Sequence, residues 1–178
     1  MSFMTIVPAE TFAGNGLTAH QNVMSLFPGT LPGSDSERRA GSNILFVEDV
    51  TFVAVRSDTP AAVTPPGSRA YIERGVPAAG TVVRFRLTVN AVRRLRAGGV
   101  EPVHDLDDWV AGKLTGALTN VTVLQHSRET RHSGRSPIQV DTVDGQAVVG
   151  DVTVLAGLLR FGVGRAKAYG CGLLTVAS

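Results

Sequence analysis

The segment TVVRFRLTVN, Thr81 to Asn90, alternates apolar and polar side chains over its whole length. This period of two is typical of a β-strand that buries one face and exposes the other. The apolar face holds Val83, Phe85, Leu87 and Val89, and the polar face holds Arg84, Arg86 and Thr88. Such a strand needs a sheet, and helical patterns elsewhere in the chain favour the α+β class.

The chain before Thr81 is expected to contain a strand, a helix, a loop and a β-hairpin. Thr18 can cap the helix, and Pro28 ends it. The hairpin would turn near Glu48 and Asp49. These four segments are Phe3 to Val7, Leu17 to Phe27, Gly29 to Ser42 and Asn43 to Ser57.

The chain after Asn90 is expected to contain two helices and three strands. Carboxylates stand at the start of the first helix, where they suit the positive end of the helix dipole, and Asp151 can cap the second. Asp144 and Gly145 would form a turn within the second strand. In chain order the segments are Leu106 to Leu118, Asn120 to Gln125, Ile138 to Val149, Val152 to Phe161 and Leu173 to Ala177.

The two halves of the chain repeat the order strand, helix, strands. This order predicts two tandem ferredoxin-like domains (βαββαβ, RRM-like), the first with a degenerate second helix, and a C-terminal glycine-rich loop. The expected division is an N-terminal domain at 1–92, a linker at 93–105 around Gly98 and Gly99, and a C-terminal domain at 106–178. The fold alone assigns no function.

The charge balance is nearly neutral, with 17 Lys plus Arg against 15 Asp plus Glu, and therefore does not by itself indicate a polyanionic partner. Cys171 is the single cysteine and the four histidines lack a ligand spacing, so no disulfide, metal site or cofactor is expected. Neither a secretory signal nor a membrane span is recognisable, and a cytoplasmic protein without a membrane partner is expected.

Four glycines are closely spaced near the C-terminus, at Gly162, Gly164, Gly170 and Gly172. Glycine permits positive φ and close approach to a ligand, and the basic residues Arg165 and Lys167 lie between them. One interpretation is a backbone that contacts phosphates. The other is a tight turn region of a small domain.

The segment GVGRAKAYGCGLLTVA, Gly162 to Ala177, resembles the C-terminal end of the CasE-type endoribonucleases. These are the CRISPR RNA-processing subunits of type I-E Cascade complexes and belong to the RAMP superfamily. Further blocks resemble the family in the same order, and together they cover nearly the whole chain. They are AHQNVMSLFPG (19–29), NILFVED (43–49), VVRFRLTVN (82–90), DDWVAGKL (107–114) and VDGQAVVGDVTVLAGLLRFGVG (143–164).

The resemblance implies a metal-independent endoribonuclease that binds the repeat hairpin of precursor CRISPR RNA and cuts at the base of its stem. The 2'-hydroxyl of the RNA attacks the adjacent phosphate and leaves a 2',3'-cyclic phosphate and a 5'-hydroxyl. The protein then stays bound as a subunit of Cascade, so its expected partners are the repeat hairpin and other Cascade subunits. The free chain is expected to be a monomer.

His20 matches the histidine that the family carries on its first helix, and the resemblance makes it the candidate catalytic residue. An imidazole near neutral pKa can protonate the leaving 5'-oxygen or accept the 2'-proton. Helical periodicity alone predicts a packed core histidine, because His20 falls in the arc of Leu17, Val23, Met24 and Phe27. A histidine that faces a cleft between the domains would satisfy both.

The chain departs from the family at two positions near His20. Leu17 stands where relatives often have a tyrosine, and no basic residue follows on the next turn, where Ser25 stands. Either the second catalytic group lies elsewhere or the protein binds the hairpin with weak or no cleavage. The candidates to stabilise a pentavalent phosphate are Arg38, Arg39, Lys167 and Tyr169.

Basic side chains of the segment SRETRHSGRS, Ser127 to Ser136, are expected on a hairpin that the family inserts into the groove of the repeat stem. A tandem ferredoxin-like protein that acts on a small ligand or a protein partner is the third hypothesis. The candidate RNA-binding residues are Arg38, Arg39, Arg128, Arg131, Arg135, Gly162, Gly164, Arg165, Lys167, Tyr169, Gly170 and Gly172.

Overall fold

A computed structural model describes residues 2–31, 33, 35–96, 98–133 and 136–178 of the chain. Its strands form two four-stranded antiparallel sheets and a separate two-stranded ribbon, with four α-helices among the described residues. The first sheet is built from residues 3–72 and the second from residues 82–177. We call these two parts the first half and the second half.

The first half contains four strands, and their order across the sheet is β2-β3-β1-β4. A capping box starts α1, because Thr18 accepts from the amide of Gln21 while the Gln21 side chain accepts from the amide of Thr18. The elements are β1 (Phe3–Pro8), α1 (Ala19–Ser25), α2 (Asp35–Gly41), β2 (Leu45–Glu48), β3 (Phe52–Ser57) and β4 (Arg69–Ile72). The apolar side of α1 packs on the sheet. The core between them is formed by Val7, Val23, Leu26, Phe27, Leu31, Ile44, Phe46, Val53 and Val55.

The second half repeats this order, with β10-β5-β9-β8 across its sheet. Asp105 caps α3 and Asp151 caps α4, each by accepting a hydrogen bond from a first-turn amide. The elements are β5 (Val82–Val89), β6 (Val92–Arg94), β7 (Val100–Pro102), α3 (Leu106–Leu114), β8 (Leu118–Ser133), β9 (Ser136–Val149), α4 (Val152–Phe161) and β10 (Leu174–Ala177).

Both halves have the strand order of a ferredoxin-like domain, in which the first and third strands lie at the centre and the second and fourth at the edges. The first half lacks a second helix between β3 and β4, as the degenerate pattern predicted. The α+β fold of two tandem ferredoxin-like domains is therefore confirmed.

The strand pairing favours a division of the chain earlier than 92. The alternating strand β5 pairs with β9 and β10 of the second half, and its residues Val83, Phe85 and Leu87 belong to the second core. Residues 93–105, expected as a linker, include most of the ribbon β6–β7. We therefore propose that the domain boundary lies between Ile72 and Val82.

Two local predictions are wrong. The loop expected at 29–42 contains the helix α2, and the turn expected at Asp144 and Gly145 lies inside the continuous strand β9. Gly145 stands opposite Phe85 of β5, and a β-carbon there would lie 2.7 Å from the carbonyl oxygen of Thr122 and would collide with the Phe85 ring. This glycine makes room for an aromatic ring and does not form a turn.

Arg56 of β3 joins the two halves. Its guanidinium pairs with both carboxylate oxygens of Glu73 at 2.6 Å and donates through Nη1 to the carbonyl oxygens of Leu159 and Leu174 in the second half. The side chain of Arg56 is 4% exposed. A small apolar cluster beside it, in which Leu173 contacts residues of the first sheet, continues the junction.

Candidate functional site

The glycine-rich segment forms a loop, residues 162–172, between α4 and β10; we call it the glycine loop. It contains one short 3-10 turn, Lys167–Tyr169, with left-handed residues on either side, Ala166 at φ 59° and Gly170 at φ 79°. The amide of Val163 donates to the carbonyl of Gly172 at 2.9 Å, and the amide of Gly172 donates to the carbonyl of Thr88 on β5. The ends of the loop are therefore tied to each other and to the second sheet.

Three of the four glycines lie in close contact with other parts of the protein. A β-carbon at Gly162 would lie 2.8 Å from the carbonyl oxygen of Gly172 and 2.9 Å from the Leu45 side chain. A β-carbon at Gly172 would lie 3.0 Å from both the Val163 carbonyl oxygen and the Lys167 side chain, and Gly170 is buried. Gly164 is the exposed member of the set, and it precedes the exposed Arg165.

The turn Lys167–Tyr169 packs against α1 and β2 of the first half. His20 is the second residue of α1 and is half-buried. The helix that carries the candidate catalytic histidine and the basic turn of the glycine loop therefore meet across the junction of the two halves. A catalytic role for His20 at this junction stays a prediction.

Helical periodicity predicted that His20 is packed among apolar side chains, and the structure confirms this for only part of the set. Val23 and Phe27 are buried as expected, but Leu17 precedes the helix and is 49% exposed. Ser25 is also exposed. His20 thus stands at the edge of the first core, and the two positions that depart from the family pattern face solvent.

Lys167 of this turn and Arg39 of α2 are two basic residues that lie close together. Burial lowers the pKa of Lys167, and the nearby positive charge of Arg39 lowers it further. Burial also lowers the pKa of Arg39, whose guanidinium donates to the carbonyl oxygen of Ile44 at 3.1 Å. Lys167 forms no ion pair with a described residue, so these cations share a partly buried site that favours an anion.

Other candidates surround this pair. Arg165 is exposed and forms no ion pair with a residue of the described ranges, and Tyr169 is 44% exposed. Arg38 lies on α2 and donates through Nε to the carbonyl oxygen of Gly33 at 2.8 Å. Cys171 is buried and its pKa is raised to about 12 by burial, so its thiol stays protonated at neutral pH.

Arg128 and Arg131 lie on the first arm of the long β8–β9 hairpin, as the sequence predicted. Arg128 donates to Asp141 at 2.6 Å, and this carboxylate is fully buried. Arg131 donates to Glu129 at 2.6 Å and to the carbonyl oxygen of Glu48 at 2.8 Å. Arg135 lies outside the described residues. The structure thus brings together the candidates of α1, α2 and the glycine loop, whereas Arg128 and Arg131 are engaged within the protein.

Two acids in these contacts were not singled out from the sequence. Asp141 accepts from Arg128, from Gln139 at 2.6 Å and from the amide of Ala91 at 3.3 Å, and lies 3.0 Å from His126. Glu48 pairs across the two halves, and its pKa is raised by burial despite the opposing charge of Arg131. Nothing local marked Glu48.

No helix among the described residues is long and apolar enough to cross a membrane. The same part of the chain holds no group of three or more histidine, cysteine, aspartate or glutamate side chains arranged to bind a metal.

The fold and the site together define a class: tandem ferredoxin-like proteins with a basic glycine loop packed on the first helix. Within it, this chain belongs to the CRISPR associated protein family, whose family model matches residues 7–178. No curated protein sequence matches the chain.

Solved structures share the fold along the full length. A CRISPR endoribonuclease Cse3 bound to a 19-nucleotide RNA is 20% identical, with a TM-score of 0.74 and 100% of both chains covered. The Cas6e protein of Escherichia coli K-12 is 20% identical, with a TM-score of 0.67 and 99% of each chain covered. A chain of a CRISPR RNA-guided surveillance complex is also 20% identical, with a TM-score of 0.70 and 99% of each covered.

Proposed function

We propose that this chain is an endoribonuclease that binds the repeat hairpin of precursor CRISPR RNA and cleaves it at the base of the stem. The observation that carries the proposal is the packing of the basic turn Lys167–Tyr169 against α1, the helix of His20. Membership of the CRISPR associated protein family and the shared fold with an RNA-bound endoribonuclease support the same substrate class.

The proposed reaction is a transesterification within the RNA. The 2'-oxygen loses its proton and bonds to the adjacent phosphorus, the bond from phosphorus to the 5'-oxygen breaks, and that oxygen gains a proton. The products carry a 2',3'-cyclic phosphate and a 5'-hydroxyl. His20 is the residue proposed to transfer the proton, because an imidazole titrates near neutral pH and the helix that carries His20 packs on the glycine loop.

Charge develops on the phosphoryl oxygens as the fifth bond to phosphorus forms. Lys167 and Arg39 are the residues proposed to stabilise it, which is supported by their partial burial and by the fact that neither forms an ion pair with a described carboxylate. Arg38, Arg165 and Tyr169 extend this surface and contact the flanking RNA. Gly164 is the glycine whose exposure allows close approach of a phosphate.

A repeat-hairpin RNA-binding protein with weak or no cleavage is the second candidate. Leu17 and Ser25 favour it, because both are exposed and neither supplies an acid, a base or a cation next to His20. The two candidates share the RNA and differ in the chemistry.

Cleavage of the cognate repeat RNA in EDTA, with and without a 2'-deoxy nucleotide at the scissile position, tests the chemistry. We expect cutting of the ribose substrate only, and His20→Ala should lower the single-turnover rate by about a hundredfold or more with unchanged hairpin affinity. Full cutting of the deoxy substrate, or loss of cutting through chelation alone, would contradict the mechanism. Tight binding without cutting by the wild type would favour the second candidate.

After cleavage the protein is proposed to remain on the hairpin as a subunit of a Cascade complex in the prokaryotic cytoplasm. A neighbour of the same fold belongs to a CRISPR RNA-guided surveillance complex, which supports this assembly. Native mass spectrometry should find a free monomer, and a stable one-to-one complex with cleaved hairpin that joins the other subunits. Rapid release of the product would contradict the proposal.

A further inference from the structure

Arg131 connects three parts of the molecule. It lies on β8, the first arm of the long hairpin, where its Nε donates to Glu129 at 2.6 Å. Its Nη2 reaches the first half and donates to the carbonyl oxygen of Glu48 at 2.8 Å, while Nη1 lies 3.7 Å from the Glu48 carboxylate. The end of β2 is thereby tied to the hairpin.

The third part is the glycine loop. A β-carbon built at Gly170 would lie 3.3 Å from Nη1 of Arg131 and 3.3 Å from the ring of Phe46. The backbone of Gly170 therefore lies against both the guanidinium and an aromatic ring of the first core. Gly170 ends the turn Lys167–Tyr169, which packs against α1 and β2. Arg131 thus contacts the C-terminal end of the turn Lys167–Tyr169, at Gly170, and supports the turn there.

We propose that Arg131 is a positioning residue, which holds the glycine loop in place against β2 and α1 and does not itself contact RNA. This inference rests on the proposed function. The Arg131 side chain is only 23% exposed, and a phosphate would have to compete with the carbonyl oxygen of Glu48 and the carboxylate of Glu129 for its donors. A planar fork can serve both partners at once, whereas a lysine ammonium cannot reproduce that geometry.

Arg165 provides the contrast. It stands on the same loop, is exposed and forms no ion pair with a described residue, so it is available to phosphate. Arg93 is the charge-loss control, because it is exposed on the β6–β7 ribbon, where Glu101 already pairs with it. The two arginines and Arg131 carry the same charge, and only their surroundings differ.

The test measures hairpin affinity against salt concentration, and single-turnover cleavage at saturating protein, for Arg131→Lys, Arg131→Gln, Arg165→Gln and Arg93→Gln. A plot of the logarithm of the association constant against the logarithm of the salt concentration has a negative slope. Loss of one phosphate contact reduces the magnitude of this slope by about one. We expect this drop for Arg165→Gln, and an unchanged slope for both Arg131 variants and for Arg93→Gln. Both Arg131 variants should cleave about ten to a hundred times more slowly, because a small displacement of catalytic groups has that effect.

Hydrogen exchange of the free protein tests the same role without any reaction. The amides of Tyr169 and Cys171 donate to the carbonyl of Ala166 at 2.9 and 3.4 Å. They should exchange about tenfold faster in Arg131→Gln than in the wild type, while Arg93→Gln leaves them unchanged.

A reduced salt slope and weaker binding in the Arg131 variants, with normal cleavage at saturation and unchanged exchange in the loop, would overturn the proposal and make Arg131 an RNA ligand. Full activity of Arg131→Lys would also overturn it, because charge alone would then suffice. A wild-type protein that binds but does not cut would contradict the proposed nuclease instead. In that case the exchange rates of the loop still decide the role of Arg131.

Discussion

Residues that look alike in the sequence serve different purposes, and the space around each decides which. Gly162, Gly170 and Gly172 accommodate close contacts inside the protein, whereas Gly164 faces solvent. The glycine pattern is therefore largely a packing requirement of the loop, and phosphate approach is proposed for one of its members. A spacing motif cannot separate these cases, because it contains no information about what packs on each position.

Gly145 offers a direct test of this distinction. Gly145→Ala should lower the free energy of unfolding by about 3 kcal/mol, because the new β-carbon collides with Phe85 and the Thr122 carbonyl within the buried sheet. The matched control is Gly157→Ala in α4, where nothing lies within 4 Å of the new atom. The control should raise stability by about 0.5–1 kcal/mol through better helix propensity. Urea denaturation of both variants measures the two effects, and equal effects would show that Gly145 is not limited by packing.

Features governed by neighbouring residues could be predicted from the sequence. Thr18 and Asp151 are predicted capping residues, and the structure confirms both, because a cap depends only on a side chain and amides two or three positions away. Arg128 and Arg131 could not be assigned in this way. Glu129 is a neighbour of Arg131 in sequence, but Asp141 lies 13 residues from Arg128 and Glu48 lies 83 residues from Arg131, so no local pattern shows these two contacts.

At the scale of elements, a strand was easier to recognise than the strands with which it pairs. The alternation in β5 identifies a strand correctly, yet it contains nothing about which sheet the strand joins. The structure shows that β5 pairs with β9 and β10, so it belongs to the second half and not to the first. The short helix α2 was missed because glycine, proline and serine around it are typical of loops.

The contact between the end of β3 and the end of α4 predicts a pH effect. Asp58 accepts from Arg160 at 2.8 and 3.0 Å and from Asn43 at 2.7 Å. Burial raises the pKa of Asp58, but the hydrogen bonds from Arg160 and Asn43 outweigh it, and the pKa is lowered overall. A carboxyl with a lowered pKa stabilises the fold above its unfolded pKa, and this contribution is lost as the pH falls through the folded value.

Asp58→Asn should therefore unfold at a lower urea concentration than the wild type at neutral pH. The difference between the two midpoints should shrink as the pH falls below the ordinary value of 3.8, because the wild-type carboxyl then becomes neutral as well. Arg160→Gln is the partner control and should produce the same loss at neutral pH. A midpoint difference that does not change with pH would contradict the assigned ion pair.

At the scale of the whole molecule, the repeated element order predicted the tandem fold, and the family resemblance supplied the candidate site residues. What could not be predicted is how the halves meet, because that depends on contacts over more than one hundred residues of sequence, such as that of Arg56 with Leu159. The candidate site lies along this junction, since α1 and β2 come from the first half and the glycine loop from the second. The geometry of the site is therefore a property of the interface.

Arg56 is the residue through which this dependence can be measured. Arg56→Ala would leave Glu73 and the carbonyls of Leu159 and Leu174 without their donor in a buried place, which should cost about 3–5 kcal/mol of unfolding free energy. Arg56→Lys keeps the charge but loses the fork, so it should fall between Arg56→Ala and the wild type. Trp109, the only tryptophan, reports on the second half, and far-UV circular dichroism reports on both.

In the wild type we expect the two signals to change together in urea, as in a single cooperative transition. In Arg56→Ala the circular dichroism signal should begin to change at a lower urea concentration than the Trp109 signal. The reason is that the first half has the smaller core and loses its contact with the second sheet. The same variant should bind and cut the repeat hairpin less well even where Trp109 still reports a folded second half, since α1 is then no longer held against the glycine loop. Coincident transitions with unchanged stability in Arg56→Ala would show that the apolar contacts around Leu173 are sufficient to join the two halves.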